Sequence, residues 1–272
     1  MDLLNVIIYL SIAISGTVFG SFFTLAVHRI PKHQDITHER SYCPNCNHKL
    51  QFLDLIPVWS YIFLCGKCRY CGNKIRPRYL ILEICSGLSF VLMALCRNIN
   101  IETPISEFIN FAIDILFLCA IFIIAGIDKE YKKIPNSLIV YGFCVFIIKA
   151  LFGSFYIDDL MSNNTLVDAF VSIFIYSFKV LFIPIVLCIV NLICNDLFKI
   201  EKLPVGFGDI KYLAILGLYF GLVPEFVGIA ISSLCILVWC IIKRFKNIDD
   251  IPWGFFLSIA FTIIMIAFPY FV

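Results

Sequence analysis

The chain has 272 residues, of which 61% are hydrophobic and 15% are charged, and its formal net charge at pH 7 is +2. Its mean hydropathy is +0.96. A soluble domain of this composition could not cover its own core with polar surface, so the composition excludes a soluble globular protein and indicates a membrane protein.

Apolar runs divide the chain into eight candidate membrane spans, since about 20 residues are needed to cross the hydrocarbon core. These runs are residues 3–27, 79–96, 108–127, 134–153, 166–194, 210–223, 226–242 and 251–271. The fifth run is long and the sixth is short, so their boundaries are the least defined. The first run is too long for the apolar core of a signal peptide, and we expect it to be retained as an anchor. The sequence therefore predicts an all-α polytopic membrane protein with about eight transmembrane helices.

The basic residues give the chain an orientation. If the N-terminus lies outside, the cytoplasmic loops carry 18 of the 21 Lys and Arg residues. These loops are residues 28–78, 128–133, 195–211 and 243–250. Cytoplasmic loops of membrane proteins are enriched in Lys and Arg, so both termini are predicted to lie outside. The same topology accounts for the basic charge of the first loop, and we predict contact with membrane lipid and no binding of nucleic acid.

The first loop, residues 28–78, is predicted to be a small cytosolic module between the first span (1–27) and a transmembrane bundle (79–272). Prolines at positions 31, 57 and 77 argue against a long helix through it. Its segment from Leu53 to Trp59 is apolar enough to lie against the membrane surface. Residues 28–78 are thus the one large soluble insert predicted from the sequence.

Two C-x₂-C pairs lie in this module. Cys43 and Cys46 form the first pair, and Cys68 and Cys71 form the second, with 21 residues between the pairs. Each pair can turn two thiolates toward one point, and two pairs complete the tetrahedral shell of a Zn²⁺ ion. The spacing predicts a structural zinc site, because four protein ligands leave no coordination position open for catalysis.

Two other residues compete for this ligand set. Cys65 also forms a C-x₂-C pair with Cys68, and His48 carries a nitrogen that could bind the ion. We favour Cys68 with Cys71, because Gly72 directly after Cys71 suits the tight turn of such a pair. His48 is interpreted as a solvent-facing side chain.

Two acids are predicted to meet at the cytoplasmic face. Asp128 ends the third apolar run, just before one predicted cytoplasmic loop, and Asp209 begins the sixth run, just after another. Acids at the edge of a bilayer are costly and indicate a functional site. Two neighbouring carboxylates can hold one proton between them, which suits the activation of a water for peptide hydrolysis. The alternatives are that Asp209 only caps a helix and that Asp128 only pairs with nearby lysines.

The chain resembles the bacterial type IV prepilin peptidases, also called prepilin leader peptidase/N-methyltransferases, which are GxGD-type intramembrane aspartic proteases. The resemblance rests on short motifs that occur in the family's order along nearly the whole chain. These are Gly20-Ser21-Phe22, His28-Arg29-Ile30-Pro31, the two cysteine pairs, Asp54-Leu55-Ile56-Pro57, Gly66-Lys67, Arg78-Tyr79 with Glu83, Ile127-Asp128, Ile134-Pro135-Asn136, Gly206-Phe207-Gly208-Asp209-Ile210-Lys211 and Ile251-Pro252-Trp253-Gly254. The chain departs from the family's usual residues at Thr24, Cys65 and Phe255.

The resemblance implies an activity. Type IV prepilins and pseudopilins would be cleaved after a glycine at the cytoplasmic face of the bacterial inner membrane. The new N-terminal residue, usually Phe, would then be N-methylated with S-adenosylmethionine. Asp128 and Asp209 match the family's catalytic aspartates.

The resemblance also assigns supporting residues. Gly206, Gly208 and Lys211 are expected to support the active site. The four cysteines match the family's cysteine module. Gly66 and Lys67 match its methylation-linked motif, and Glu83 is also associated with methylation. The residues that bind S-adenosylmethionine cannot be read from the sequence.

Three alternatives remain at this point. The protein could be a peptidase with no methyltransferase activity, an ion-coupled membrane transporter with a zinc knuckle, or a membrane scaffold with no chemistry. A transporter typically has inverted repeats and binds its ions near the middle of the bilayer. Neither feature is evident in the sequence, and a scaffold would leave the glycines around Asp209 without a purpose.

Overall fold

Helices form the regular structure of this chain, as expected in lipid, where backbone N–H and C=O groups must bond within the protein. The computed structural model describes residues 3–38, 40–152, 178, 180–198, 205–243 and 251–267. Within these ranges there is no β-strand, and the two isolated β-bridges both lie in the module. The all-α prediction is confirmed for the described residues.

The helices follow the predicted apolar runs. In chain order they are α1 (Leu3–Arg29), α2 (Trp59–Phe63), α3 (Arg78–Cys96), α4 (Ile105–Tyr131), α5 (Asn136–Phe152), α6 (Phe182–Phe198), α7 (Phe207–Phe220), α8 (Leu222–Ile242) and α9 (Trp253–Ala267). Within the described ranges, α1, α3, α4 and α8 are long and apolar enough to cross a membrane, and other apolar helices are shorter. The number of eight spans stays a prediction, since much of the fifth run lies outside the described residues.

Two helix boundaries differ from the sequence prediction in a way that matters for the site. α4 continues to Tyr131, so Asp128 lies in its last turn, and the helix ends where Lys132 adopts a left-handed conformation with φ of 54°. α7 begins at Phe207 and ends at Phe220, and the φ of 90° at the following Gly221 turns the chain into α8. Asp209 therefore lies in the first turn of α7.

α4 is the central helix of the described bundle, with both polar ends near other helices and most of its middle buried. It packs against α1, α5 and α9. Stacked rings join it to its neighbours, with 5.7 Å between the ring centres of Phe23 and Phe122 and 3.6 Å between those of Phe117 and Tyr219. This packing fixes the position of the end of α4 that carries Asp128.

α1 and α3 approach each other closely through small residues, as helices in membranes often do. A Cβ built on Gly16 would lie 2.8 Å from the Cα of Gly87, and one built on Gly20 would clash with the Ser86 hydroxyl. The Ser86 hydroxyl donates a hydrogen bond of 2.7 Å to the carbonyl of Gly16. The pairing holds the end of α1 and the start of α3 side by side next to the module.

Candidate functional site

The two aspartates of the predicted pair come from different helices and meet at one end of the bundle. Asp128 is 5% exposed in the last turn of α4. Asp209 lies in the first turn of α7, and its carboxylate is close enough to Asp128 for the two charges to interact. The structure therefore brings together two acids that are 81 positions apart in the sequence.

The N-terminus of α9 faces both carboxylates. The N–H of Phe255 donates a hydrogen bond of 2.9 Å to Oδ2 of Asp128. The N–H of Gly254 interacts with the carboxylates of both Asp128 and Asp209. The first N–H groups of a helix have no partner within the helix and carry a partial positive charge, so they stabilise neighbouring anions.

Gly254 allows this close approach. A Cβ built on Gly254 would lie 3.1 Å from Oδ2 of Asp128 and 3.0 Å from Cδ1 of Ile134. A side chain at this position would therefore press on the carboxylate. No role was predicted for this helix start, although Pro252 shortly before a glycine and an apolar run is a typical signal of a helix N-terminus.

The three residues expected to support the site lie around Asp209. Gly206 precedes α7, and a Cβ built on it would lie 3.0 Å from Oδ2 of Asp209. Gly208 faces Ile134 at an ordinary packing distance of 3.4 Å. Lys211 donates a hydrogen bond of 3.1 Å from Nζ to Oδ1 of Asn136, which ties α7 to the start of α5.

The two alternative roles of these acids find little support. The residue at the cap position of α7 is Gly206, and no side chain caps that helix. Among the described residues, Asp128 forms no salt bridge: Lys129 lies 4.8 Å from the centre of the Phe255 ring, and Lys132 acts on Asp128 only through its charge. Among the described residues, neither carboxylate is therefore engaged in a salt bridge or in capping α7, and both remain candidates for catalysis.

The four cysteines of the predicted zinc site also come together. Their Sγ atoms all lie within 4.8 Å of one another. The Sγ atoms of Cys43 and Cys71 are 3.9 Å apart. Zn–S bonds of about 2.3 Å in a tetrahedron place two sulfurs about 3.8 Å apart, so the donor set fits Zn²⁺. The identity of the ion stays a prediction.

The two cysteine pairs have the same local backbone. The N–H of Asn47 bonds to the carbonyl of Cys43 at 2.8 Å, and the N–H of Gly72 bonds to that of Cys68 at 2.9 Å. Asn47 and Gly72 both have positive φ, 55° and 70°. Asn and Gly tolerate this region better than other residues, which explains why they follow the pairs.

A thiolate is accessible at this site near neutral pH. Burial raises the pKa of the Cys43 thiol, but hydrogen bonds from the backbone N–H groups of Cys46 and Asn45 outweigh burial and lower this pKa to about 7. Because metals bind the thiolate, this environment favours metal binding.

The competing ligands lie elsewhere. Cys65 is exposed and is not part of the group of four sulfurs. The ring of His48 packs on that of Tyr70, with 3.6 Å between the ring centres. The geometry therefore favours Cys43, Cys46, Cys68 and Cys71.

The residues associated with methylation line the join between the module and the membrane helices. Glu83 is 7% exposed, and its Oε2 accepts a hydrogen bond of 2.7 Å from the N–H of Val58. Gly66 is buried with a φ of 67°, and a Cβ built on it would lie 3.0 Å from the Tyr61 ring. Lys67 is exposed and forms a β-bridge with Lys74.

A buried ionic cluster at the other end of the bundle was not predicted. Asp114 lies 2.5 Å from the guanidinium of Arg97 and 3.2 Å from Nζ of Lys149, and it accepts a hydrogen bond from Tyr219. The two cations, Arg97 and Lys149, balance the charge of Asp114 in the middle of an apolar run. The cluster joins α3, α4, α5 and α7 and accounts for Asp114 without ion transport.

Comparisons with known proteins agree with the motifs. The bacterial peptidase A24 N-terminal domain matches residues 14–97. The type IV leader peptidase family matches residues 115–241. Together the two matches leave out only the chain ends and a short connection. No solved structure matches the chain.

Several similar proteins are named prepilin leader peptidase/N-methyltransferase. The one from Klebsiella pneumoniae is 30% identical over 131 residues, which are 46% of this chain and 54% of that protein. The one from Bacillus subtilis is 31% identical over 128 residues, 47% of this chain and 48% of that protein. The alignments thus span about half the length of each. That from Burkholderia pseudomallei strain K96243 is 26% identical over 284 residues, 89% of this chain and 80% of that protein.

Proposed function

The chain belongs to the type IV leader peptidase family, and on this basis we propose that it is a membrane aspartic endopeptidase. Its substrates are type IV prepilins and pseudopilins, and it cuts after a glycine where the leader peptide meets the apolar helix. It then methylates the new N-terminal residue, usually Phe. Relatives named prepilin leader peptidase/N-methyltransferase support both activities.

Asp128 and Asp209 carry out the cleavage. One carboxylate, ionised, accepts a proton from a water that attacks the scissile carbonyl carbon. The other carboxylate, protonated, donates a hydrogen bond to the carbonyl oxygen and stabilises its developing negative charge. The proton then passes to the leaving amine as the C–N bond breaks. This division of labour requires that the pair hold one proton, which two adjacent carboxylates do readily.

The observation that carries this proposal is the meeting of three helix ends. The N–H of Gly254 interacts with both aspartates, and the N–H of Phe255 fixes Oδ2 of Asp128 at 2.9 Å. Backbone donors on a helix cannot rotate away, so they hold the two carboxylates in a constant arrangement. Such pre-organisation is what acid–base catalysis needs.

The cysteine module holds a structural Zn²⁺ in this proposal. Cys43, Cys46, Cys68 and Cys71 would bind it as thiolates, and the ion would fold the loops that lie over the membrane helices. The methylation step needs S-adenosylmethionine, which supplies an electrophilic methyl group. The apolar runs support eight membrane spans. The distribution of Lys and Arg supports an orientation with the module and the aspartates at the cytoplasmic face of the inner membrane and both termini outside.

One co-expression experiment tests both activities. The protein is produced together with a type IV prepilin, and the mature pilin is analysed by mass spectrometry. The proposal predicts a chain that starts directly after the glycine and carries one added methyl group on its N-terminus. A correctly cut chain without the methyl group would leave the peptidase and remove the methyltransferase, and an uncut prepilin would contradict the proposal.

A further inference from the structure

Tyr212 and Ser258 form a buried pair of hydroxyl groups next to the two aspartates. Tyr212 lies one turn after Asp209 on α7, Ser258 lies one turn after Gly254 on α9, and each is 1% exposed. The Tyr212 hydroxyl is 2.9 Å from Oγ of Ser258. Oγ of Ser258 is in turn 2.7 Å from the carbonyl oxygen of Gly254. Neither hydroxyl was assigned a role from the sequence.

The number of hydrogens fixes the direction of these two bonds. A carbonyl oxygen only accepts, so the single hydrogen of the Ser258 hydroxyl is donated to Gly254. Ser258 then has only lone pairs left for Tyr212, whose hydroxyl is therefore the donor. The reverse direction would leave the buried hydrogen of Tyr212 without an acceptor among the described residues, which is costly in an apolar interior.

The bond from Ser258 acts on the peptide group that contacts Asp128. The carbonyl of Gly254 and the N–H of Phe255 belong to one peptide group, and this N–H donates to Oδ2 of Asp128 at 2.9 Å. Hydrogen bonds therefore run in one direction from Tyr212 through Ser258 and this peptide group to the Asp128 carboxylate. Bonds in such a chain polarise one another, so the two hydroxyls make the Phe255 N–H a stronger donor.

The two aspartates receive unequal numbers of backbone donors. Asp128 interacts with the N–H of Gly254 and accepts that of Phe255. Among the described residues, Asp209 interacts with the N–H of Gly254 alone. Donors that face a carboxylate stabilise its ionised form. The single proton of the pair is therefore better placed on Asp209 than on Asp128.

We propose that Tyr212 and Ser258 are positioning residues of the peptidase, which keep Asp128 as the ionised member of the aspartate pair. This inference rests on the proposed function. Asp128 takes a proton from the water as the water oxygen bonds to the scissile carbonyl carbon, and protonated Asp209 donates a hydrogen bond to the carbonyl oxygen. The C–N bond then breaks with its electron pair kept by nitrogen, and the proton held by Asp128 moves to that nitrogen.

Cleavage of a purified type IV prepilin by the full-length protein in detergent tests this inference. Tyr212→Phe removes the first donor of the chain and keeps the ring, and Ser258→Ala removes the bond to the Gly254 carbonyl. We expect kcat to fall about threefold in Tyr212→Phe and about tenfold in Ser258→Ala, the range typical of one hydrogen bond. KM should stay within about twofold of the wild-type value, because both side chains are buried and act through Asp128.

The acidic limb of the kcat profile should move to higher pH in both variants. A carboxylate that faces a weaker donor holds its proton more readily, so less of the enzyme carries its base at a given acidic pH. The variants remove no charge around Asp128, so the shift reports the hydrogen bonds. α5 and α9 carry no charged residue at this end. The charged and titratable groups on the other elements there are His28 and Arg29 of α1, Arg78, Tyr79 and Glu83 of α3, Lys129, Glu130 and Tyr131 of α4, Lys132 and Lys133 after it, and Asp209, Lys211 and Tyr212 of α7.

Two control variants remove the same chemical groups elsewhere in the bundle. Tyr141→Phe deletes a tyrosine hydroxyl that also bonds across helices, to the carbonyl of Leu116 at 3.1 Å. Ser232→Ala deletes the hydroxyl of a fully buried serine that bonds to the carbonyl of Ile229 in its own helix. Both should keep the wild-type kcat and pH profile. An equal loss of kcat in the controls would overturn the inference.

The double variant of Tyr212→Phe and Ser258→Ala should lose no more activity than Ser258→Ala alone, because both changes interrupt one chain of bonds. Unchanged kcat and pH profiles in the folded single variants would overturn the inference while the proposed function stands. A lower kcat with an unshifted acidic limb would assign the two hydroxyls a packing role and overturn it as well.

Melting temperature and zinc content show whether each variant is folded, and Tyr212→Phe alone decides the test if Ser258→Ala does not fold. If the wild type leaves prepilin uncut, the proposed function and this inference fail together.

Discussion

Backbone N–H groups, rather than side chains, donate the hydrogen bonds that position the carboxylates of Asp128 and Asp209. The donors at the start of α9 belong to residues 254 and 255, more than 120 positions from Asp128. The sequence predicted that the two acids meet, because the basic residues of the loops predict that both helix ends lie on the same side of the membrane. It did not predict their shared donor, because that depends on how α9 packs against α4, which no local pattern encodes.

Replacement of Gly254 by alanine should therefore damage the site without removing an acid. The added methyl group would lie 3.0–3.2 Å from Ile134 and the Asp128 carboxylate, closer than such contacts normally are. We expect the kcat/KM for prepilin cleavage to fall about tenfold or more, equivalent to about 1.4 kcal/mol in the barrier. Cleavage of a purified prepilin in detergent measures this effect.

Gly208→Ala is the matched control for this substitution. It also adds a methyl group near Ile134, but at an ordinary contact distance of 3.4 Å. We expect it to reduce kcat/KM less than Gly254→Ala does. An equal or larger loss in Gly208→Ala would show that crowding of Asp128 is not the cause.

At the scale of elements, the cysteine module is an example of a structure that spacing predicts well. The two C-x₂-C pairs and the glycine after Cys71 were sufficient to select, among the module's five cysteines, the four whose sulfurs the structure groups together. The path of the module across the membrane helices was not predictable. It depends on contacts between distant residues, such as the hydrogen bond from the N–H of Val58 to Glu83, which joins residues 25 positions apart.

The two exposed cysteines Cys46 and Cys65 provide a direct comparison. We expect the purified wild type to hold about one zinc ion per chain and Cys46→Ser, which removes one of the four grouped sulfurs, to lose it. Cys65→Ser should retain the wild-type zinc content. Elemental analysis by mass spectrometry measures both, and loss of zinc in the Cys65 variant alone would mean that the ligand set is wrong.

The short helix α2 should lie in the membrane interface. Its Trp59 and Phe63 are 61% and 73% exposed, and Phe52 nearby is 80% exposed. The bond from Val58 to Glu83 puts the start of α2 level with the second turn of α3, a helix long and apolar enough to cross a membrane. Large aromatic side chains at this depth are typically covered by lipid headgroups and the upper acyl chains.

Fluorescence quenching measures the depth of Trp59. In a protein that carries Trp239→Phe and Trp253→Phe, we expect lipids brominated near the headgroup to quench Trp59 more than aqueous iodide does. The further variant Trp59→Phe provides the background signal. Stronger quenching by iodide would place α2 in water and refute this prediction.

At the scale of the whole molecule, composition and apolar runs were sufficient to predict a helical membrane protein, because lipid permits few alternatives. The buried cluster of Asp114, Arg97 and Lys149 could not be predicted from the sequence, because its members lie far apart along the chain and no sequence motif links them. Removing one member of such a buried cluster typically costs about 3–5 kcal/mol, so the cluster is expected to stabilise the packing of the helices that it joins. The site at the opposite end depends on this packing.

The most direct test of the central claim is prepilin cleavage by Asp128→Asn and Asp209→Asn. Each change keeps the size of the side chain and removes its ability to exchange a proton. We expect each variant to be expressed, to keep its zinc content and to lose cleavage by about a hundredfold or more, the contribution typical of acid–base catalysis. Glu107→Gln, which changes an exposed acid near the other end of α4, should cleave normally. Cleavage at near wild-type rates by either aspartate variant would contradict the two-aspartate mechanism.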